Sequence, residues 1–439
     1  AFSILPPLAL VERIFLQENS KSCVTLCFNY ATQPSRFTFK CHFAYTVFME
    51  NGRSLALRAL NEFRTNGVML ESTFANLEDV AFAKEIAFGT LRRMLELAAY
   101  AKQLNDNNPL RVKGGIKLLI YMAIYQLKYM DKVPIYAIVD ESVKLAKKIA
   151  KQQASFLNAL LRKLESFQFD EASLSKSDKY SVPPFLLEKL DLEDSVYAAM
   201  LERPQVFYRL PCKAETSQGE LVEKFPFCSA YKLNGKLDEV LNIDGSYIQN
   251  ITPIKLMAHL ARGEFTPSSI LDVCASPGGK VTLAHAIYPQ AKLWANDFDS
   301  SRLDRLKENL NRLKIEADIL NLDGTTLPID QLFDLIILDV PCSNSGVLAK
   351  KPEAKYRIND VELNRLTSLQ KQLVSKACEK LNPGGQMWIL TCSILNDENQ
   401  QLVSHASNIA SLKQINQSLT LLPSSNGQDG GFCAAFQKR

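Results

Sequence analysis

Two cysteines each follow an apolar run that reads as a buried strand: Cys342 in "FDLIILDVPCSNSGV" and Cys392 in "QMWILTCS". Asp339 comes directly after the apolar residues 335–338, and Pro341 turns the chain away before Cys342. A thiolate is a strong nucleophile near neutral pH and leaves readily, which suits reversible addition to a polarised double bond. A cysteine is by default a small hydrophobe of the core. Two at the carboxyl ends of strands that line one crevice point instead to catalysis. Residue type alone leaves open which of the two attacks.

A third stretch, "LDVCASPGGK" (residues 271–280), runs from a strand into a glycine-rich turn. A phosphate-binding P-loop needs a glycine where Cys274 stands and a hydroxyl where Val281 stands. The G-x-G-x-x-G of dinucleotide folds is absent. The remaining ligand reading is a methyl-donor site, where Gly278 and Gly279 let the backbone approach S-adenosylmethionine (SAM) and Lys280 meets its carboxylate. The bland alternative is a plain strand-to-helix turn. The next strand ends tip the balance: "WANDFD" closes on Asp297 and Asp299, and "LNLDGTT" carries Asp323. Asp297 is placed to accept from ribose hydroxyls and Asp323 from the adenine amino group. Each acid alone is more often a helix cap, but three successive strand ends bearing a Gly loop and two acids describe a nucleoside crevice.

These residues need elements to hold them. From about residue 265, strand-like and helix-like segments alternate, which predicts a mostly parallel sheet covered on both faces, with its ligand at the carboxyl edge. Residues 52–166 are helical throughout. "LEDVAFAKEIAFGTLRRMLELAAYA" puts Val80, Ala83, Ile86, Ala87 and Leu91 on one stripe, and "GGIKLLIYMAIYQLKYM" is apolar nearly all round, as the central helix of a bundle would be. The polar "SFQFDEASLSKSDKYSVPP" reads as a linker, followed by mixed short elements ("FLLEKL", "QVFYRL", "SYIQNI"). The expected domains are 49–168 helical, 169–262 a small α+β module and 263–439 catalytic. Residues 1–48 show no period, and the expectation is that the biological chain starts at Met49 with the preceding segment not native.

The composition fits this organisation. The chain has 439 residues, too many for one ordinary core, and no apolar run long enough to span a membrane. Its ten cysteines include no Cys-x-x-Cys pair and there are only four histidines, so neither a zinc site nor any other metal is expected. Scattered cysteines in a chain of this size point to a reducing compartment, hence the cytoplasm. Net charge is +4, but residues 101–170 carry 12 Lys/Arg against 6 Asp/Glu, whereas residues 251–439 carry 20 against 19. A basic helical region can meet nucleic acid.

Taken together, "DVCASPGGK", "DVPCSNSGV" and "TCS" resemble the Sun family of RNA cytosine-C5 methyltransferases. The helical segments are similar to the NusB-like N-terminal domain carried by the small-subunit ribosomal RNA branch of that family. The resemblance covers roughly residues 52–439. It implies an all-α NusB-like bundle, a small α+β RNA-binding module and an α/β Rossmann-like class I SAM-dependent methyltransferase domain. It implies that residues Cys274, Ala275, Ser276, Pro277, Gly278, Gly279 and Lys280, with Asp297, Asp323 and Asp339, bind SAM or line its pocket. It further implies that Cys392 attacks cytosine C6, that Asp339 hydrogen-bonds the pyrimidine ring, and that Cys342 assists product release. Lys350, Lys351, Lys355 and Arg357 would meet RNA phosphates, although the family usually has arginines at the first two positions. Asn250 and Gly431 also depart from its pattern. The implied partner is 16S ribosomal RNA before subunit assembly; the alternatives are the same chemistry on transfer RNA or another ribosomal RNA site, or a non-catalytic RNA-binding factor, and a monomer with no membrane partner is expected.

Overall fold

The computed structural model describes residues 51–75 and 77–439. Met49 and the segment before it lie outside the described residues. The chain divides into two compact units, the first ending at Ser173 and the second running from Leu174 to Arg439.

The first unit is helical: α1 Gly52–Asn66, α2 Leu70–Phe74, α3 Ala81–Arg92, α4 Met94–Leu104, α5 Gly114–Tyr129, α6 Ile135–Ile149 and α7 Ala154–Arg162. The all-round apolar sequence of α5 has the expected outcome, since residues 118–126 are buried without a break and α5 packs on α1, α3, α4, α6 and α7. The stripe of α3 also holds, with Ala83, Ile86, Ala87 and Leu91 buried, but Val80 caps the helix and does not join it. The long helical pattern of residues 77–101 is broken at Arg93, whose guanidinium leaves the helix line to lie 4.1 Å over the Tyr129 ring and pair with Glu96. The polar stretch expected as a linker is partly folded onto this unit. Phe169 packs on Tyr100 at 4.6 Å, and Glu171 pairs with Lys128.

In the second unit, β5 (Ser269–Asp272), β6 (Lys292–Asn296), β7 (Asp318–Leu320), β8 (Phe333–Asp339), β9 (Leu381–Thr391), β10 (Leu412–Gln414), β11 (Leu419–Leu421) and β12 (Gly431–Lys438) form one sheet. Its order is β10-β12-β9-β8-β5-β6-β7, with β11 on β12. The strands β7 to β9 on that path are parallel, and β12 returns antiparallel beside β9. The order reverses between β5 and β8, which opens a crevice at their carboxyl ends.

Successive residues of each central strand point to opposite faces, and both faces are buried. Leu335 and Ile337 join the layer under α8 (Ile251–Leu260), α9 (Gly279–Ile287) and α10 (Ser300–Arg312). Ile336 and Leu338 join the opposite layer with α11 (Asp360–Glu379) and α12 (Gln400–Ser407). A four-stranded antiparallel sheet, β2 (Gly219–Lys224), β3 (Ser229–Leu233), β1 (Phe207–Leu210) and β4 (Tyr247–Ile248) in that order, adds Phe225, Cys228 and Ala230 to the first layer. Residues 180–201 close a third core over Leu348, Ile358, Ile394 and Leu395, directly beneath the turns that follow β8 and β9.

Trp388 is the largest fully buried side chain, with its indole N–H donating to Gln386 Oε1 at 3.0 Å. Replacing it by alanine removes atoms and leaves a cavity at the middle of the sheet. Trp388→Ala is expected to lower the unfolding free energy of the second unit by about 3–5 kcal/mol, read as a lower denaturant midpoint.

Candidate active site

The glycine-rich loop is held from three sides. From β6, Asn296 O accepts from Ala275 N at 2.8 Å, and Asp297 Oδ2 accepts from Ser276 N at 3.1 Å. From α10, Arg302 donates to Ser276 O and Asn309 to Pro277 O. From the small sheet, Tyr247 donates to Pro277 O, Gln249 lies over Gly279, and Arg209 donates to Thr282 Oγ1 at 2.6 Å. Arg209 is buried, which pulls its guanidinium down to about 10. Gly278 sits at φ +109°, a conformation that disfavours any side chain.

Asp297 braces the loop, since its oxygens accept from Ser276 N and Asp299 N and it pairs with Arg302 at 3.5 Å. Asp299 caps α10 through Ser301 N. Asp323 is exposed at the sheet edge, and its Oδ1 accepts from the backbone N–H and hydroxyl of Thr325. Asn296 escaped the sequence reading. Fully buried, it donates to Val273 O and Leu322 O and accepts from Leu322 N, tying the ends of β5, β6 and β7 together.

At the reversal point Lys280 is ion-paired to Asp339, so its ammonium does not stand free for a cofactor carboxylate as its loop position suggested. Burial alone would lower Lys280, but the Asp339 charge overrides it and holds the lysine above its usual range. Beneath them lies Asp272, also missed by sequence reasoning. It is fully buried, and neither carboxylate oxygen has a hydrogen-bond partner among the described residues. Burial and the nearby Asp339 push it up to about 7.

The two candidate thiols meet. Cys342 Sγ and Cys392 Sγ are 3.0 Å apart, both half-buried. The hydrogen bond from Cys342 pulls Cys392 below the ordinary thiol value, against its burial and the Asp339 charge; the cations of Lys351 and Lys280 add to the lowering. The same bond, burial and the Glu398 carboxylate push Cys342 well up. Cys274 lies apart on the loop, its thiol driven up by burial and by Asp272. Asn344, in the left-handed region at φ 62°, accepts from Cys392 Sγ at 3.3 Å and from Lys351 Nζ at 2.9 Å. At Gly346 an added Cβ would lie 2.7 Å from Gly430 and 2.8 Å from Cys392 O, both main chain, so only glycine fits.

An open cleft of about 330 Å³ is lined by Thr252, Lys280, Asp339, Cys392, Asp429 and apolar neighbours. The basic residues after Cys342 separate. Lys350 pairs with Asp429 at 2.6 Å, Lys351 and Arg357 are exposed, and Lys355 is only 2% exposed, neither a solvated charge nor a surface phosphate ligand. Asn250 caps α8 and donates to Gly427 O, and Gly431 opens β12. No helix among the described residues is long and apolar enough to cross a membrane.

Residues 262–437 match the family described as 16S rRNA methyltransferase RsmB/F, and residues 50–166 match the NusB family. The ribosomal RNA small subunit methyltransferase B of Proteus mirabilis is 30% identical over 419 residues, spanning 89% of this chain and 99% of its own. The chain belongs to the ribosomal RNA small subunit methyltransferase B family. Its counterpart in Erwinia tasmaniensis is 28% identical with the same coverage. By fold, the crystal structure of PH0851 superposes with a TM-score of 0.68 over 88% of this chain and 98% of that one, at 19% identity. A methyltransferase homologue from Pyrococcus horikoshii gives 0.51 over 62% of this chain and all of the other, also at 19%.

As a member of the methyltransferase B family, the chain is a SAM-dependent RNA methyltransferase with a NusB-like helical domain and a Rossmann-like catalytic fold. The residues present fit that cofactor. A carboxylate buried without a partner is costly and calls for a cationic donor, and the methionine ammonium of SAM would supply one to Asp272.

Because Asp272 holds its proton to a higher pH in the folded state than the ordinary 3.9, the native protein binds more protons between about pH 4 and 7. Stability therefore falls as pH rises through that window and stays lower above it. Asp272→Asn is expected to flatten this slope, to melt higher than wild type at about pH 8, and to bind SAM at least about tenfold more weakly by calorimetry.

Proposed function

We propose that this chain transfers a methyl group from SAM to C5 of a cytosine in 16S ribosomal RNA, through a covalent bond between Cys392 and cytosine C6. The observation that carries the reading is a thiol, Cys392, that lines one cleft with the Lys280–Asp339 ion pair and has a second thiol, Cys342, 3.0 Å behind it. The family match to 16S rRNA methyltransferases and the names of the relatives support the substrate. Cytosine 967 is the target assigned here, on family resemblance.

SAM, when bound, supplies an electrophilic methyl group. Asp272 would hold its ammonium, while the residues from Cys274 to Gly279 and Asp297 form the walls around it. Addition of the Cys392 thiolate to C6 makes C5 a carbon nucleophile, and Asp339 with Lys280 stabilises charge developing on the ring. After methyl transfer the C5 proton leaves to a base, and expulsion of the Cys392 thiolate restores the C5–C6 double bond. Cys342, held protonated, sits 3.0 Å from the departing sulfur and gives it a hydrogen bond. The target base has to leave any helical stack to reach this cleft, so a flipped or single-stranded cytosine is the substrate, in RNA not yet packed into the subunit. Lys351 and Arg357 are exposed and suited to phosphates, and the basic first unit adds salt-sensitive affinity. The chain acts as a monomer.

Cys392→Ala is expected to abolish methyl transfer from labelled SAM to unmethylated 16S RNA. Cys342→Ala is expected to form a protein–RNA adduct that survives denaturing electrophoresis. An adduct in Cys392→Ala would reverse the two assignments, and transfer to transfer RNA alone would remove the 16S substrate.

A further inference from the structure

Behind the two thiols lies a carboxylate to which the chemistry above gives no task. Glu398 is fully buried, and no cation among the described residues forms an ion pair with it. Its Oε1 accepts from Ser343 N at 2.8 Å and from Gln370 Nε2 at 3.1 Å, and its Oε2 accepts from Ser343 Oγ at 2.5 Å. Gln370 also donates to Pro341 O at 2.8 Å, so the residues on either side of Cys342 are both tied to this one cluster. The cluster continues to the other thiol. Ser343 Oγ lies 3.4 Å from Ser393 Oγ, next to Cys392, and Ser393 Oγ is 2.9 Å from Ser345 Oγ.

A buried carboxylate is an expensive way to fasten a turn, because an amide or hydroxyl would serve without the desolvation cost. What it adds is negative charge on one side of the thiol pair. The other side is different: Cys392 faces the cations of Lys280 and Lys351 as well as the Asp339 carboxylate. When two thiols in contact lose one proton between them, the fixed charges around them decide which sulfur carries the negative charge.

We propose that Glu398 is a positioning residue that gives the two thiols different tasks, clamping the Pro341–Ser343 turn so that Cys342 faces Cys392 and repelling negative charge from Cys342. Cys392 is then the sulfur that attacks, and Cys342 the one that keeps its hydrogen for the departing thiolate. The inference rests on the proposed roles of those two cysteines.

The test uses the full chain with Glu398→Gln and Glu398→Ala, beside wild type and Cys342→Ala. Iodoacetamide labelling without RNA, resolved by peptide mass, reads the two thiols separately. In wild type Cys392 is expected to label at least about tenfold faster than Cys342, the ratio that one unit of thiol acidity gives. In Glu398→Gln, which keeps an acceptor for Ser343 N but loses the charge, the ratio is expected to shrink to within about threefold. Glu398→Ala, which loses the clamp as well, is expected to accumulate protein–RNA adduct as Cys342→Ala does. An unchanged labelling ratio in Glu398→Gln at a wild-type melting temperature would overturn the proposal, and that variant decides the matter even where Glu398→Ala does not fold. A failure of Cys342→Ala to trap RNA would remove the release role proposed above while leaving the labelling ratio to judge Glu398.

Discussion

The site depends on one parallel strand pairing. β8 and β9 run side by side with Asp339 opposite Leu390, so the turns that follow them begin at the same height on the sheet. Cys342 comes three residues after Asp339, and Cys392 two after Leu390, which brings sulfurs fifty residues apart in sequence to 3.0 Å. Side chains alternate faces along a strand, so a slip of one residue would send the thiol-bearing turns apart and swap each strand's apolar side chains between two differently packed cores. Burial on both faces, with Leu335 and Ile337 in one layer and Ile336 and Leu338 in the other, makes such a slip prohibitive. The core and the catalytic geometry are in this sense one constraint.

The pairing sets the height but not the orientation of the turns, and that falls to buried polar groups. Glu398, Gln370, Ser343, Ser345, Ser393 and Asn399 form a connected network in which nearly every donor finds an acceptor. Such networks in a low-dielectric interior are rigid when satisfied and costly when incomplete. Gly346 completes the arrangement by letting the first turn touch the main chain of Cys392 and Gly430. Residues 180–201 keep water from this layer by packing Leu348, Ile394 and Leu395 from below.

Much of this was legible in the sequence. The apolar run before Asp339, the alternation of strand and helix, and the all-round apolar α5 are patterns whose period dictates their environment, and the structure follows them. Less legible were features that arise from partners distant in the chain. Arg93 reads as an ordinary helical position, yet the helix breaks there, and its guanidinium lies over the ring of Tyr129, a partner far along the chain. Lys355 lies in a stretch as charged as any surface loop, yet it is buried by the fold around Tyr356. Asp272, Asn296 and Glu398 are common residue types in unremarkable spacings. Their burial follows from where the sheet reverses and where the turns fold back, which no local pattern encodes.

Cys274, Cys342 and Cys392 all follow strands at the same edge of the same sheet, and residue type gives them equal claim to chemistry. Their surroundings separate them. Cys274 sits among Asp272, Asp339 and Asp297, where burial and negative charge keep the thiol protonated. Cys342 is also held protonated, first by its hydrogen bond to the second sulfur, then by burial and the Cys392 charge, with Glu398 adding to the effect. Cys392 alone receives that hydrogen bond and lies within reach of two lysines. A thiolate forms where its charge is accepted, so the charges placed around the three sulfurs favour Cys392 as the proposed nucleophile, and the strand ends merely bring the candidates together.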